Sequence, residues 1–361
     1  MAFDEQIFAL QAYGGISRMF AELATQFIND PDLGIELLPL NAPVINRYLL
    51  ESPQLSQHLA VRHASHEYRS LLRYFLRVQP RKGQDVVHNT FYLPHGLVHY
   101  PKAKRIVTVH DMIPERMPET RRRLDFATLK KHYVQRADHV ICVSESTKSD
   151  LLEIYGKVHA PISVVHHGVD SIFRPANPKP AYLPGNYIIF VGNRGGYKDA
   201  SVLLAAFASL HNEFSNLSLL FVGGGQLSHA ERERLSALGL DGKATQISLR
   251  DRDMPAAYEH ATVCVFPSRF EGFGLPALEA MACGTPTVLA DATSLPEVGG
   301  TAARYFAPGD ADDLAAQLRV ILTSAPTRQS LSEAGRKRAS QFTWRRSAEE
   351  TMKIYHRSLV G

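Results

Sequence analysis

The sequence predicts an α/β protein built from two doubly wound domains. Three observations carry that expectation. Short apolar runs of strand length alternate with helical patterns through both halves of the chain. A proline-rich stretch interrupts the alternation near its middle. The length, 361 residues, exceeds what one hydrophobic core usually fills. Strands that alternate with helices form a parallel sheet covered on both faces.

Taken in order, the first half places strands at 85–88 (DVVH), 105–109 (RIVTV), 139–143 (HVICV) and 161–165 (PISVV). Helices are expected at 16–27, 54–78, 123–137 and 146–155. The second half places strands at 187–191, 217–222, 244–247, 262–266 and 287–290. Its helices are expected at 200–214, 230–238, 254–260, 276–282 and 311–322. Between the halves, residues 171–186 carry Pro175, Pro178, Pro180 and Pro184, which stop a helix or a central strand. The expected domains are therefore 1–176 and 177–341. In the tail, Trp344, Ala348, Met352 and Tyr355 recur at helical spacing.

Composition narrows the class. The chain is 45% hydrophobic and 21% charged, which suits a globular protein and not a disordered or fibrous one. Three cysteines, each in an apolar setting, exclude a disulfide scaffold and read as small core residues. No run approaches the roughly 18 apolar residues of a membrane span, and the N-terminus lacks a signal-peptide pattern, so a cytoplasmic protein is expected. No histidine or cysteine spacing suits a metal, the adjacent His166 and His167 included. The net charge of +4 is too small for a dedicated nucleic-acid binder.

The segment from Val265 to Pro286, VFPSRFEGFGLPALEAMACGTP, is the most informative. A strand ends near Phe266, and Gly272 and Gly274 let backbone N–H groups approach a ligand. Pro276 suits the start of a helix. A loop running into a helix N-terminus favours an anion such as phosphate. Glu271 in the loop and Glu279 in the helix are eight residues apart, so they suit two parts of one ligand rather than a hydrolytic carboxylate pair.

This pattern resembles the retaining GT-B glycosyltransferases of family 4, a group that includes bacterial mannosyltransferases of lipopolysaccharide and capsule synthesis. The hallmark, a glutamate followed eight residues later by a second within E-G-F-G-L-P-x-L-E-A-M-A-x-G-x-P, is matched at every fixed position from Glu271 to Pro286. Further similar segments are the strand–loop Phe190 to Asp199 with Arg194 and Lys198, the turn Tyr13-Gly14-Gly15-Ile16-Ser17-Arg18, and the strand end Val107 to Met112 with His110-Asp111. Weaker ones are Val143 to Lys148, His167 to Asp170 and Ser294 to Val298. The chain departs from the pattern in a short first strand and in His167, which stands where an asparagine is usual.

The resemblance implies two Rossmann-like domains facing a cleft, with the tail helix, 342–361, crossing back to the first domain. It implies a nucleotide-diphosphate sugar as co-substrate, with a GDP-linked mannose or mannose-derived deoxysugar as the expected donor, and no other cofactor and no metal. Glu279 would hold the ribose. Glu271, with the N–H groups of Phe273, Gly274 and Leu275, would hold sugar and phosphate. Arg194 and Lys198 would stabilise the departing diphosphate. Gly15 would offer N–H groups to the donor phosphate, and His110 would position the transferred sugar. The expected acceptor is a glycan or lipid-linked oligosaccharide in cell-surface polysaccharide synthesis, O-antigen included. The alternatives are a nucleotide-sugar epimerase, a phosphorylase, or a non-catalytic partner subunit on the same fold.

One surface feature stands apart. Arg62, Arg69, Arg73 and Arg77 fall on one face of the helix expected at 54–78, beside Tyr68, Leu71, Leu72, Phe75 and Val78. Either this is a solvated surface helix or it is a basic amphipathic face that docks peripherally on anionic lipid at the cytoplasmic membrane. Arg121, Arg122, Arg123, Lys130 and Lys131 form a second basic cluster open to the same two readings.

Overall fold

The computed structural model describes residues 1–40, 42–64, 83–97, 99–120, 126–175 and 178–360. The chain divides into two compact units. Unit 1 comprises Met1–Gly168 and Thr343–Gly361, and unit 2 comprises Val169–Phe342. The proline-rich segment therefore lies inside unit 2. Its Phe173 and Leu183 are buried in that unit's core with Tyr187 and Tyr258, and the Val169 N–H donates to the Phe342 carbonyl at 3.1 Å.

The described residues of unit 1 form a five-stranded parallel sheet in the order β1 (Ala2–Phe3), β2 (Val86–Asn89), β3 (Lys104–Val109), β4 (His139–Cys142) and β5 (Ile162–Val164). Its helices are α1 (Gln6–Leu10), α2 (Gly15–Asn29), α3 (Arg47–Glu51), α4 (Pro53–His58), α5 (Ile113–Arg116), α6 (Phe126–Gln135) and α7 (Glu145–Tyr155). The two-residue β1 is as short as the sequence predicts. Asp4, just after it, is buried and ties it inward by accepting from Thr90 N (2.9 Å), Thr90 Oγ1 (2.6 Å) and Gln6 Nε2 (2.5 Å). A buried carboxylate is tolerated only with donors of this kind.

Unit 2 holds a six-stranded parallel sheet in the order β11-β10-β9-β6-β7-β8. The strands are β6 (Asn186–Val191), β7 (Leu217–Val222), β8 (Ala244–Ile247), β9 (Val263–Phe266), β10 (Thr287–Ala290) and β11 (Arg304–Phe306). Its helices are α8 (Ala200–Leu210), α9 (His229–Ala237), α10 (Met254–Glu259), α11 (Leu275–Ala282), α12 (Leu295–Gly299), α13 (Ala311–Thr323) and α14 (Ala325–Ala339). The chain builds outward from β6 to β8, then returns to add β9 on the other flank of β6. That reversal is a topological switch point, where ligands of open α/β sheets gather at the strands' carboxyl ends. The loops leaving β6 and β9 flank it.

The tail forms α15 (Trp344–Val360), which packs on unit 1 as expected. Its apolar stripe faces α2, and the Tyr355 ring lies 6.0 Å from Phe27 while its hydroxyl meets His88 Nδ1 at 2.7 Å. Gly168 is pressed so closely to this helix that a Cβ there would come 2.1 Å from Trp344 N.

Two expectations need correction. The helix expected at 54–78 stops at His58, because Ala60 adopts a left-handed conformation at φ 49° and the chain then runs extended. The Arg62 carbonyl accepts from Val44 N at 2.8 Å, and His63 bridges Val44, so Arg62 does not sit on the predicted arginine face. Arg69, Arg73 and Arg77 lie outside the described residues, as do Arg121, Arg122 and Arg123. Lys130 does not belong to a basic surface at all. It is 3% exposed and paired with Glu115 at 3.0 Å. Among the described residues, no helix is long and apolar enough to cross a membrane. The three cysteines are free and buried, and burial pushes the Cys142 thiol up to about 12.

Candidate active site

Unit 2 carries most of the predicted residues at the switch point. β9 ends at Phe266, and the loop that follows turns into α11 at Gly274, whose φ is 107°. A side chain there would be strained, and its Cβ would meet Leu295 Cδ2 at 2.9 Å. Pro276 is the second residue of the helix, where no N–H is needed. Among the described residues, no hydrogen bond takes up the N–H of Gly274 or Leu275. These N–H groups and the helix dipole make a site for an anion.

Glu271 and Lys198 are brought together from loops 73 residues apart. Lys198 Nζ donates to Glu271 Oε1 at 2.5 Å, with the side chains 17% and 10% exposed. The ammonium also stands 4.8 Å from the Phe266 ring centroid. Both groups are thus largely shielded yet reach the surface at the carboxyl ends of β6 and β9. Arg269 N donates to Tyr197 O at 2.8 Å, and Arg269 Nε lies 3.4 Å from Asp199, so the two loops are tied at a second point.

A third loop supports this pair. The Glu271 N–H donates to Thr293 Oγ1 at 3.0 Å, while Ser294 Oγ lies 3.0 Å from Glu271 O and 2.9 Å from Phe273 O. Thr293 has φ 49°, a conformation that costs a threonine about 1–2 kcal/mol. The strain puts its hydroxyl under the Glu271 backbone. The sequence pattern SLPEV pointed to this region but not to this role.

Glu279 is the fifth residue of α11, just past the first turn. It is 7% exposed, and Tyr258 donates to its Oε2 at 3.0 Å. Burial, then the Glu279 charge, hold the Tyr258 phenol well above its ordinary pKa, so it stays a donor. Thr285 Oγ1 in turn donates to the Tyr258 carbonyl at 2.6 Å. Sequence reasoning missed Tyr258, which lies 21 residues from its partner and carries no local signal.

Arg194 is engaged by protein partners on the loop leaving β7. Its Nε and Nη2 grip Glu231 at 2.5 and 3.3 Å. Nη1 donates to Gly223 O at 3.0 Å, and Nη2 reaches the carbonyls of Gly224, Gly225 and Gln226 at 3.3, 3.0 and 3.1 Å. Gly223, Gly224 and Gly225 all have positive φ, which turns these carbonyls toward the guanidinium. A Cβ at Gly224 would come 2.8 Å from Arg194 Nη1. The structure therefore places Arg194 as the brace of the loop leaving β7. Glu231 was also missed by sequence reasoning. Its carboxyl is held down to about 2 by hydrogen bonding to Arg194, against the desolvation that would raise it.

In unit 1, His110 directly follows β3 and Gly15 opens α2, where it is exposed. The two are linked through Phe20 of α2, whose ring meets His110 edge-on at 6.0 Å. His110 is 8% exposed, and neither ring nitrogen has a hydrogen-bond partner. Burial first, then His167, His88 and Lys130, keep its pKa well below the ordinary value, so the ring is neutral with one donor and one acceptor to offer. Lys130 anchors the following turn by donating to Asp111 O at 2.7 Å and to Glu115, which Tyr155 also contacts at 2.6 Å. Among the described residues, no cluster of three His, Cys, Asp or Glu could hold a metal.

Comparison with known proteins bears on the family and the fold. Residues 13–172 match the model of Glycosyltransferase Family 4, and residues 175–338 match that of Glycosyl transferases group 1. The chain is 32% identical over 302 residues to the MMP alpha-(1->4)-mannosyltransferase of Mycolicibacterium hassiacum, covering 78% of this chain and 72% of that one. It is 28% identical over 293 residues to the O-antigen chain mannosyltransferase B of Escherichia coli, covering 76% and 75%. The fold is similar to that of Anabaena HepE, solved in complex with UDP and glucose, with a TM-score of 0.75 and 17% identity over 99% of this chain and 98% of that one. With two Rossmann-like units, the glutamate motif at the switch point of the second, and these relatives, the chain belongs to family 4 of the GT-B glycosyltransferases.

Proposed function

We propose that this glycosyltransferase moves a hexose, with retention of anomeric configuration, from a nucleotide-diphosphate sugar to a glycan or lipid-linked acceptor of a cell-surface polysaccharide. The observation that carries the reading is the Lys198–Glu271 pair beside an N–H-rich helix start at a topological switch point. A diphosphate needs cations and N–H donors, and a sugar needs a carboxylate acceptor within reach. The loops leaving β6 and β9 supply both. The mannosyltransferase relatives favour mannose as the sugar; a mannose-derived deoxysugar and a GDP carrier are what the family resemblance implies.

In this reading the diphosphate lies against the N–H groups of Phe273, Gly274 and Leu275, and Lys198 neutralises the charge that builds on it as the glycosidic bond breaks. Glu271 then has two uses. It holds Lys198 in place before the donor arrives, and its second oxygen accepts from sugar hydroxyls. Glu279, fixed by Tyr258, takes the ribose hydroxyls. Gly15 offers N–H groups to the donor phosphate. His110, neutral and with two unused nitrogens, positions the transferred sugar. The acceptor hydroxyl attacks the anomeric carbon on the face the diphosphate leaves, and the departing phosphate oxygen takes the proton. The charge work is done by Lys198 and backbone dipoles, so we propose that transfer is metal-independent. Arg194, bound as it is to Glu231 and the glycine loop, contributes by holding that loop.

The test is release of nucleoside diphosphate from GDP-mannose, with UDP-glucose as comparison, by the wild type and by Lys198→Ala and Glu271→Ala. Loss of one such group costs about 3 kcal/mol, or roughly a hundredfold in rate, with the fold retained. Wild-type turnover by both variants contradicts the assignment. Proton NMR of the product's anomeric signal decides retention, and EDTA-insensitive turnover is the expected result for metal independence.

A further inference from the structure

His110 presents an unusual combination. It is buried, both of its ring nitrogens are unpartnered, and no hydrogen bond fixes the orientation of its ring. Its neighbours must fix it by packing. On one side lies the edge of Phe20, at 6.0 Å between centroids and 73° between planes. On another lies His167, near-parallel to it at 6.5 Å and 29°. His167 is itself 6% exposed and backed by the Trp344 ring at 5.7 Å. Burial holds the His167 ring neutral, with its pKa lowered to about 3.

The backing is rigid. His167 precedes Gly168, where the chain lies so close to the Thr343–Trp344 backbone that any side chain would clash. Trp344 starts the seventeen-residue helix α15, which is anchored along its length by Ala348, Thr351, Ile354 and Tyr355. A flat ring held this way can fix the plane of its neighbour without competing for the neighbour's nitrogens. An asparagine, with a small amide plane and its own hydrogen-bonding groups, would do neither.

We propose that His167, backed by Trp344, is a positioning residue that holds the His110 imidazole flat so that its nitrogens stay presented to the transferred sugar. The inference rests on the reading of His110 given above. It assigns His167 a role through its ring face and not through its nitrogens.

The test compares His110→Ala, His167→Ala, His167→Asn and His167→Phe. Two readouts are used: kcat and KM for nucleoside diphosphate release from GDP-mannose, and the imidazole signals of His110 in nitrogen-15 NMR of the whole chain. His167→Phe keeps a flat ring and is expected to stay within about threefold of wild type. His167→Ala and His167→Asn are expected to lower kcat about tenfold with KM nearly unchanged, and to broaden or double the His110 signals. Failure of His167→Phe to rescue, or unchanged His110 signals in His167→Ala, overturns the positioning role. Wild-type kcat in His167→Ala with an impaired His110→Ala also overturns it, while leaving the reading of His110 standing. Wild-type kcat in His110→Ala overturns that reading and this inference with it. Should His167→Ala fail to fold, the Asn and Phe variants carry the same comparison.

Discussion

Replacing Arg194 with alanine tests how the second unit's loops are held. The guanidinium is 7% exposed at its side chain and bonds Glu231 twice and four successive carbonyls besides. Hydrogen bonds to a charged group are each worth about 1.5–3 kcal/mol. The Glu231 carboxyl sets an independent scale. Held at about 2 against an ordinary 4.5, it is linked to stability by roughly 3 kcal/mol at about 1.4 per unit. That is an upper bound for a side chain 29% exposed, so about 2 kcal/mol is a fair figure after screening by solvent. Arg194→Ala should therefore cost about 2–4 kcal/mol at pH 7. The pH dependence has a definite sign. A carboxyl whose pKa is lowered by folding stabilises above its unfolded value and loses that contribution as pH falls from about 4.5 toward 2. Urea unfolding of both proteins at pH 7 and across pH 2.5–5 should show the gap between them closing in acid. A gap that stays constant with pH, or no gap at pH 7, would refute the reasoning.

The remaining predictions concern the supports of the two glutamates. Tyr258→Phe removes the hydrogen bond that Tyr258 donates to Glu279 Oε2, at 3.0 Å, while keeping the buried ring. It should weaken nucleotide binding about tenfold in calorimetry with little change in kcat at saturation. Thr293→Ala with Ser294→Ala removes the hydroxyls that meet the Glu271 N–H and the Glu271 and Phe273 carbonyls. The pair should lower kcat for diphosphate release by about tenfold or more, because misplacement of a reacting group is costly. Lys130→Met leaves Glu115 buried without its cation. It should destabilise the first unit by about 3–5 kcal/mol, read as a lower midpoint in urea.

Strands β6, β7, β9 and β10 of the second unit were legible because each is a largely apolar run bounded by turn signals. Val263–Phe266 and Leu217–Val222 could hardly be anything else. The site motif was legible for a related reason: Glu271, Gly274, Pro276 and Glu279 lie in one short segment, and their order mirrors a strand–loop–helix. What stayed hidden depends on contacts far apart in sequence. Tyr258 finds Glu279 across 21 residues, and Arg194 finds Glu231 across 37. Arg194 illustrates the difficulty, since its partners Glu231 and the carbonyls of Gly223 to Gln226 carry no signal near it in sequence. Lys130 misled in the same way, as a basic surface residue that is buried against Glu115. β11 (Arg304–Phe306) and the polar α14 escaped because neither shows a strong periodic apolar pattern. The helix break at Ala60 has no glycine or proline to announce it.

The central claim is that the loop from Glu271 to Glu279 binds a nucleotide-diphosphate sugar. Its most direct test is a thermal-unfolding screen of nucleoside diphosphates and nucleotide sugars against the wild type and Glu279→Ala. A ligand at a hundred times its Kd stabilises the folded state by about 2.7 kcal/mol. The account predicts that one base, guanine first among those tried, raises the midpoint of the wild type by several degrees and leaves Glu279→Ala nearly unmoved. An equal shift in both proteins, or none with any nucleotide in the wild type, would contradict it.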